Sequence, residues 1–399
     1  MNPDLDRLQP YPFEILAKLN AGVIPPAHLK PISLSIGEPK HPPPPFALED
    51  LGKQLQRLAN YPTTKGLPEL RQSIARWLER RFKLTGGVDP ESQVLPVNGT
   101  REALFAFAQA ALDRSAQPIV VYQNPFYQIY EGATLLAGGE PYLLNCSPEN
   151  GYLPDFDTVP EAIWNRCQLL YVCSPGNPSG AIIPMETYQK LLQLADTFDF
   201  IIASDECYSE IYQDENAPPV GLLEACAVSG RHDFRRCVVF HSLSKRSNVP
   251  GMRSGFVAGD ADLLAQFLRY RTYHGCAMSV PFQLASTTLW SDETHVKANR
   301  DAYREKFRAV AEILNDVLPV TIPEASFYLW PQIPIDDETF ARELLRTQNV
   351  AVLPGRYLGR STAEGNPGAH HCRMALVATV DECVEAAHRI RQFVESIKS

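Results

Sequence analysis

Lys245 sits in the run His241-Ser242-Leu243-Ser244-Lys245, with Asp205 upstream and Arg253 downstream, each just after an apolar strand-like segment or its turn. A lysine amine can form an imine with an aldehyde. Two hydroxyls and a guanidinium can hold a phosphate dianion, and a carboxylate can keep a pyridine nitrogen protonated. That combination points to pyridoxal 5'-phosphate. Taken singly these residues say little, because most lysines, serines and arginines are solvated. Their placement says more. Cys237-Val238-Val239-Phe240 and Phe200-Ile201-Ile202-Ala203 read as buried parallel strands. The lysine and the aspartate thus both follow carboxyl ends of strands, where open α/β sheets bind ligands.

Further candidates fall at similar junctions. Val94-Leu95-Pro96-Val97 reads as a strand and Ala103, Leu104, Phe107, Ala108 and Ala111 recur at helical spacing, so Gly99-Thr100-Arg101 occupies the turn between them. Free N–H groups and the helix dipole favour an anion there, and glycine allows close approach; Thr100 as an ordinary helix cap is the competing explanation. Ser174-Pro175-Gly176-Asn177-Pro178-Ser179-Gly180 is a rigid turn that can aim the Asn177 amide at a phenolate oxygen. Asp205 can pair with a pyridine nitrogen while Tyr208 reaches the ring oxygen, although an aspartate after a strand also serves as a plain cap. Tyr127, in Asn124-Pro125-Phe126-Tyr127, is an aromatic candidate for stacking on the ring.

The elements that must position these groups alternate along the chain. Ile119–Tyr122, Leu169–Val172 and Phe256–Ala258 add strands to those named, separated by amphipathic stretches, which predicts a mostly parallel sheet flanked by helices. Pro42-Pro43-Pro44-Pro45 is stiff and lacks N–H donors, and is expected to connect an N-terminal arm to the first domain. Residues from about 292 to 318 read as one charged amphipathic helix, with Tyr303, Phe307, Val310, Ala311 and Leu314 on its apolar face. Beyond it, Ala325–Trp330, Val350–Leu353 and Arg373–Val377, followed by a closing helix to Lys398, predict a smaller α/β domain. The expected division is residues 1–46 as arm and part of the small domain, 47–290 as the large cofactor-binding domain, and 291–399 as linker helix and small domain.

The 399 residues carry 45% hydrophobic side chains and a formal net charge of −9, without a long basic run. That balance argues for small-molecule partners and against nucleic acid or an anionic membrane. The first thirty residues are broken by prolines and charges, with neither a signal-like apolar core nor a spanning segment, so a cytoplasmic location is expected. Nine cysteines without a Cys-x-x-Cys pair read as reduced thiols. His370-His371-Cys372 with Cys383 has the flavour of a metal site, but adjacent strand residues point to opposite faces, and no metal is expected. Asn98-Gly99-Thr100 matches a glycosylation sequon, discounted for want of an export signal.

Gly99-Thr100, Asn177-Pro178-Ser179-Gly180, Asp205-x-x-Tyr208, Ser242-Leu243-Ser244-Lys245 and Gly251-Met252-Arg253-Ser254-Gly255 together resemble the ordered motifs of class I/II, fold type I, aminotransferases, over nearly the whole chain. The resemblance implies amino acid and keto acid substrates and a homodimer with the cofactor at its interface. It implies Lys245 as the imine lysine, and Ser242, Ser244 and Arg253 around the phosphate. It further implies Tyr61 reaching the neighbouring subunit's phosphate, and Arg373, with Gly37 and Asn177, clamping the substrate α-carboxylate. Tyr127 stands where many relatives have tryptophan and Ser179 where they have threonine. The segments 34–41, 96–105, 204–212 and 270–275 resemble succinyldiaminopimelate transaminases, which implies transfer from glutamate to N-succinyl-2-amino-6-oxopimelate, with Lys40, His41, Lys65, Arg101 and Arg271 as candidates for its far end. Other dicarboxylic or aromatic amino acids, and β-elimination from cysteine conjugates on the same scaffold, are the alternatives. A cofactor-sensing regulator would need a basic DNA-binding module that neither end supplies.

Overall fold

The computed structural model describes residues 1–398. Twelve strands occur among them: β1 (Ile32–Ser33), β2 (Val94–Val97), β3 (Ile119–Asn124), β4 (Glu140–Asn145), β5 (Cys167–Cys173), β6 (Ile201–Asp205), β7 (Cys237–Ser242), β8 (Gly255–Gly259), β9 (Tyr328–Leu329), β10 (Val350–Ala351), β11 (Leu353–Pro354) and β12 (Cys372–Ala375). Seven of them form one sheet in the order β2-β8-β7-β6-β5-β3-β4. The central strands are buried on both faces, which is why they read as unbroken apolar runs. Ile119, Val121 and Leu170 point into one helix-covered core, Val120, Tyr122 and Tyr171 into the other.

The sheet is mixed. β8 runs antiparallel to both β2 and β7, whereas β4, β3, β5, β6 and β7 are mutually parallel. The cause is local: β7 leaves the sheet at Ser242 and the chain re-enters it at Gly255 directly opposite, with no crossover helix between them to restore the strand direction. Everything from Ser242 to Ser254 is therefore gathered over the carboxyl end of β7. The edge strand β4 escaped the sequence reading because Pro141 interrupts it and most of its side chains are half-exposed.

A smaller unit is built on β11-β12-β9 and the pair β1-β10. Its core joins Ile32 and Leu34 to residues between Phe307 and Val394. The linker helix spans Thr294–Leu314, shorter at both ends than the pattern suggested, and buries Tyr303, Phe307, Val310, Ala311 and Leu314. The four prolines do not form a free linker, because Pro45 opens the helix Pro45–Lys53 at its first position, where a missing N–H costs nothing. Among the described residues, no helix is long and apolar enough to cross a membrane.

Candidate active site

A cavity of about 530 Å³ opens where the carboxyl ends of β5, β6 and β7 meet the smaller unit. Its wall includes Gly37, Thr100, Arg101, Tyr127, Asn177, Asp205, Tyr208, Ser242, Ser244, Lys245, Arg253 and Arg373. The short connection from β7 to β8 supplies four of these. Ser242 caps the turn Leu243–Arg246, its Oγ accepting from Ser244 N at 3.0 Å, and Arg253 returns the chain with a positive φ of 50°. Opposite, Gly99 has φ +83° and opens the helix Thr100–Ala111; a Cβ on it would overlap the Arg253 guanidinium. Glycine is required there on both counts.

The charges in this cavity are complementary to something the chain does not itself provide. Asp205 is 4% exposed, and its carboxylate accepts from Tyr130 Oη at 2.7 Å and from Cys207 N at 3.3 Å. No cation among the described residues pairs with it, and burial raises its pKa above the usual carboxylate range. Arg373 is equally buried; its Nη1 donates to Asn177 Oδ1 at 3.0 Å and its Nη2 to the Ser35 carbonyl at 2.9 Å, while Nε has no partner. Among the described residues neither Arg373 nor Arg253 forms an ion pair with a carboxylate. Arg253 is solvent-exposed, but for the buried Asp205 and Arg373 a charge without a counter-charge is costly. A ligand with a cationic ring, a phosphate and a carboxylate would satisfy all three, so these residues fit pyridoxal phosphate carrying an amino acid.

Lys245 lies between these charges. Its Nζ donates to the Gly37 carbonyl at 2.5 Å, and desolvation, reinforced by Arg373, lowers its pKa to about 8. A fraction of neutral amine is thus present near pH 7, as an attacking nucleophile requires.

Several groups bordering the site were missed in the sequence. Tyr328 Oη lies 3.0 Å from Tyr208 Oη, and its ring carries the Arg373 guanidinium at 4.4 Å. In this geometry the Tyr208 hydroxyl faces Tyr328, a tie that the strand-like run 325–330 gave no reason to expect. Tyr130 holds Asp205 from below, and Tyr11 at the start of the first long helix meets Arg101 at 3.3 Å. Cys207, inside the Asp205–Tyr208 motif, lines the cavity with Sγ 3.1 Å from Thr100 Oγ1. Tyr127 does line the cavity, its Oη accepting from Arg101 Nε at 2.6 Å. Tyr61 does not; it is fully exposed.

The candidates for the far end of a long substrate separate sharply. Arg271 is buried and paired with Glu102, Lys65 pairs with Glu91, and His41 is engaged by Asn299 and Lys306. Only Arg101 of the five lines the cavity. The histidine–cysteine run is likewise structural: His371 stacks on Trp330 at 5.1 Å, and Cys372 is buried within β12.

Comparison with known proteins agrees with this architecture. Residues 30–390 match the family model described as aminotransferase class I and II. An aminotransferase from Neisseria meningitidis is 50% identical and superposes with a TM-score of 0.94, over 98% of this chain and all of that one. The chain belongs to the class I and II aminotransferases, and is a pyridoxal-phosphate-dependent enzyme of that class. Among curated relatives, the LL-diaminopimelate aminotransferase of Nitratidesulfovibrio vulgaris is 33% identical over 393 residues, 97% of either chain. A probable N-succinyldiaminopimelate aminotransferase from Thermus thermophilus is 28% identical with a TM-score of 0.82, over 95% of this chain and 99% of that one.

These findings correct the expectation of a succinylated substrate. Relatives at 30–33% identity are named for LL-diaminopimelate itself. Two of the candidates in the segments that suggested the succinyl enzymes are spent internally, Arg271 on Glu102 and His41 on Asn299, which leaves Arg101 as the one that lines the cavity. These segments report a shared framework rather than a pocket for a succinyl group.

Proposed function

We propose that this aminotransferase takes LL-diaminopimelate as an amino substrate, acting as a homodimer whose two sites lie at the subunit interface. The Arg373 guanidinium, without a counter-ion among the described residues, is the observation that carries the site assignment, because a buried cation with a free Nε calls for an anionic ligand. The names of the relatives support the substrate. Bound in the cavity, pyridoxal phosphate supplies an aldehyde that captures the amino group and a pyridinium that takes up the electron pair left by the α-proton.

The chain's own residues do the rest. Arg373 and Asn177 would hold the α-carboxylate beside Gly37, while Ser242, Ser244, Arg253 and the helix start at Thr100, which Gly99 leaves open to close approach, would hold the phosphate. Asp205, held by Tyr130, would pair with the ring nitrogen, and Tyr208 and the Asn177 amide would be the donors to the ring oxygen. Tyr127, which lines the cavity, would stack on the ring. Lys245 Nζ would remove the proton from the substrate α-carbon and return it to the cofactor's former aldehyde carbon, two atoms away across the nitrogen, a transfer suited to a group that titrates near neutrality. Arg101, facing the cavity between Tyr11 and Tyr127, is the cation available to the distal end of the substrate. Leu48, Leu55, Leu58 and Tyr61, all exposed within one short stretch, support an interface through which Tyr61 reaches the neighbouring phosphate.

The test compares kcat/KM for LL-diaminopimelate, glutamate, aspartate and phenylalanine as donors to 2-oxoglutarate or, for glutamate, to oxaloacetate. A preference for LL-diaminopimelate is expected. Faster turnover of aspartate or phenylalanine would reject the substrate while leaving the enzyme class untouched.

A further inference from the structure

Lys306, on the linker helix, is 1% exposed and forms no ion pair among the described residues. Its Nζ lies 2.6 Å from His41 Nε2, and His41 Nδ1 lies 2.8 Å from Asn299 Oδ1. Asn299 Nδ2 donates in turn to the main-chain carbonyl of Lys245 at 3.2 Å, and its Oδ1 also accepts from Asn248 at 3.0 Å. The polarity of this chain is fixed by chemistry. An ammonium can only donate, so His41 Nε2 accepts, its Nδ1–H donates to Asn299, and the amide is left to donate to Lys245.

The same lysine is met again four residues upstream of His41. Gly37 accepts from Lys245 Nζ, and Ile36, Gly37 and Glu38 line the cavity. Residues 37–41 therefore form a strap tied to both ends of Lys245: to its amine through Gly37, and to its main chain through His41 and Asn299. The first tie needs a free amine. The second does not.

We propose that Lys306, His41 and Asn299 are a positioning relay that holds the strap 37–41 over the cavity and fixes the main chain of Lys245 whatever its amine is bonded to. None of the three touches reacting atoms. The assignment rests on the reading of Lys245 as the cofactor-bonding lysine. The fold gives the relay a second consequence: His41 belongs to the N-terminal segment, Lys306 to the linker helix and Lys245 to the β7–β8 connection, so one chain of bonds ties together the parts that enclose the substrate. Burial lowers Lys306 to about 8 and His41 below its ordinary value, leaving one positive charge on the pair near pH 7. Tyr303 on the same helix, whose ring lies 4.8 Å from Lys306 Nζ and 4.9 Å from the His41 ring, and Glu382 and Cys383 on the C-terminal helix are the other ionisable groups facing it, with Lys40 on the strap acting on Cys383.

The experiment uses Lys306→Met, which keeps the volume and removes the donor, together with His41→Phe and the double variant. Hydrogen–deuterium exchange over residues 34–42 of the cofactor-free protein is expected to rise about tenfold, the equivalent of one buried hydrogen bond. In the holoenzyme, KM for the amino donor is expected to rise by a similar factor with kcat changed less than about threefold. The double variant should show no more than the larger single effect, because both changes cut one chain. Wild-type exchange or wild-type KM in folded Lys306→Met overturns the proposal, and so do additive effects. Lys306→Met alone suffices where His41→Phe does not fold. The visible band of the bound cofactor in Lys245→Ala, measured alongside, tests the underlying assignment separately: its loss is expected, and its persistence would reject Lys245 as the anchor.

Discussion

Replacing Arg373 by methionine removes a charge and keeps most of the side-chain length. In the substrate-free site the guanidinium is held by Asn177 and the Ser35 carbonyl, lies on the Tyr328 ring and has no counter-ion, so its charge is available to an incoming carboxylate. Truncating one partner of a buried, hydrogen-bonded charge pair costs about 2–4 kcal/mol, which corresponds to about a 30- to 1000-fold fall in kcat/KM. The fall should apply to every α-amino acid donor, because all share the carboxylate. It should spare a simple primary amine, which never used the arginine. The assay is steady-state turnover of LL-diaminopimelate and glutamate beside single-turnover reaction of a carboxylate-free amine, in variant protein whose cofactor content matches wild type by absorbance. A folded, loaded variant whose kcat/KM for amino acids stays within about threefold of wild type would refute the argument that the unpaired Nε marks a carboxylate site.

Three further outcomes are expected. Tyr130→Phe removes the hydroxyl that donates to Asp205 at 2.7 Å, shifts that carboxyl further toward its neutral form, and should lower kcat about tenfold with little change in KM, as steady-state kinetics would reveal. Loading of cofactor-free protein needs the neutral amine of Lys245, so its rate should climb with pH and level off above about 8, rather than continue rising toward the ordinary lysine value of 10.5; stopped-flow absorbance across pH 6 to 10 checks this. Mixing a Lys245→Ala subunit with a Tyr61→Phe subunit should give dimers with one intact site and about half the activity per dimer, given two-fold closure; verified mixed dimers without activity would exclude a shared site.

The legible part of the molecule was the part governed by short-range rules. The strands ending at Val97, Cys173, Asp205 and Ser242 could be placed because buried strands are apolar runs, although the last three extend one or two residues beyond the ends read at Val172, Ala203 and Phe240; the linker helix could be placed because its apolar stripe recurs on one face. The antiparallel β8 was not legible, since strand direction depends on where the chain returns and not on the residues of the strand. Tyr130 and Tyr328 were hidden for a related reason: their contacts to Asp205 and Tyr208 span 75 and 120 residues. The cations of the substrate question show the same limit from the other side. Arg271 and Lys65 look available in one dimension and are neutralised in three, by Glu102 and Glu91.

The pairing of Ile32 with Val350 sets an order on the birth of the protein. A ribosome would release β1 more than three hundred residues before its partner exists, and the core that buries Ile32 and Leu34 is drawn from residues between Phe307 and Val394. The seven-stranded sheet, complete by Gly259, can collapse during synthesis; the smaller core cannot. The strap over the cavity is thus made early and is fastened only when Asn299 and Lys306 follow, while the core that backs it is completed later still. Truncation near the C-terminus would leave a folded sheet bearing Lys245 and Asp205, with Arg373 and the roof of the cavity missing.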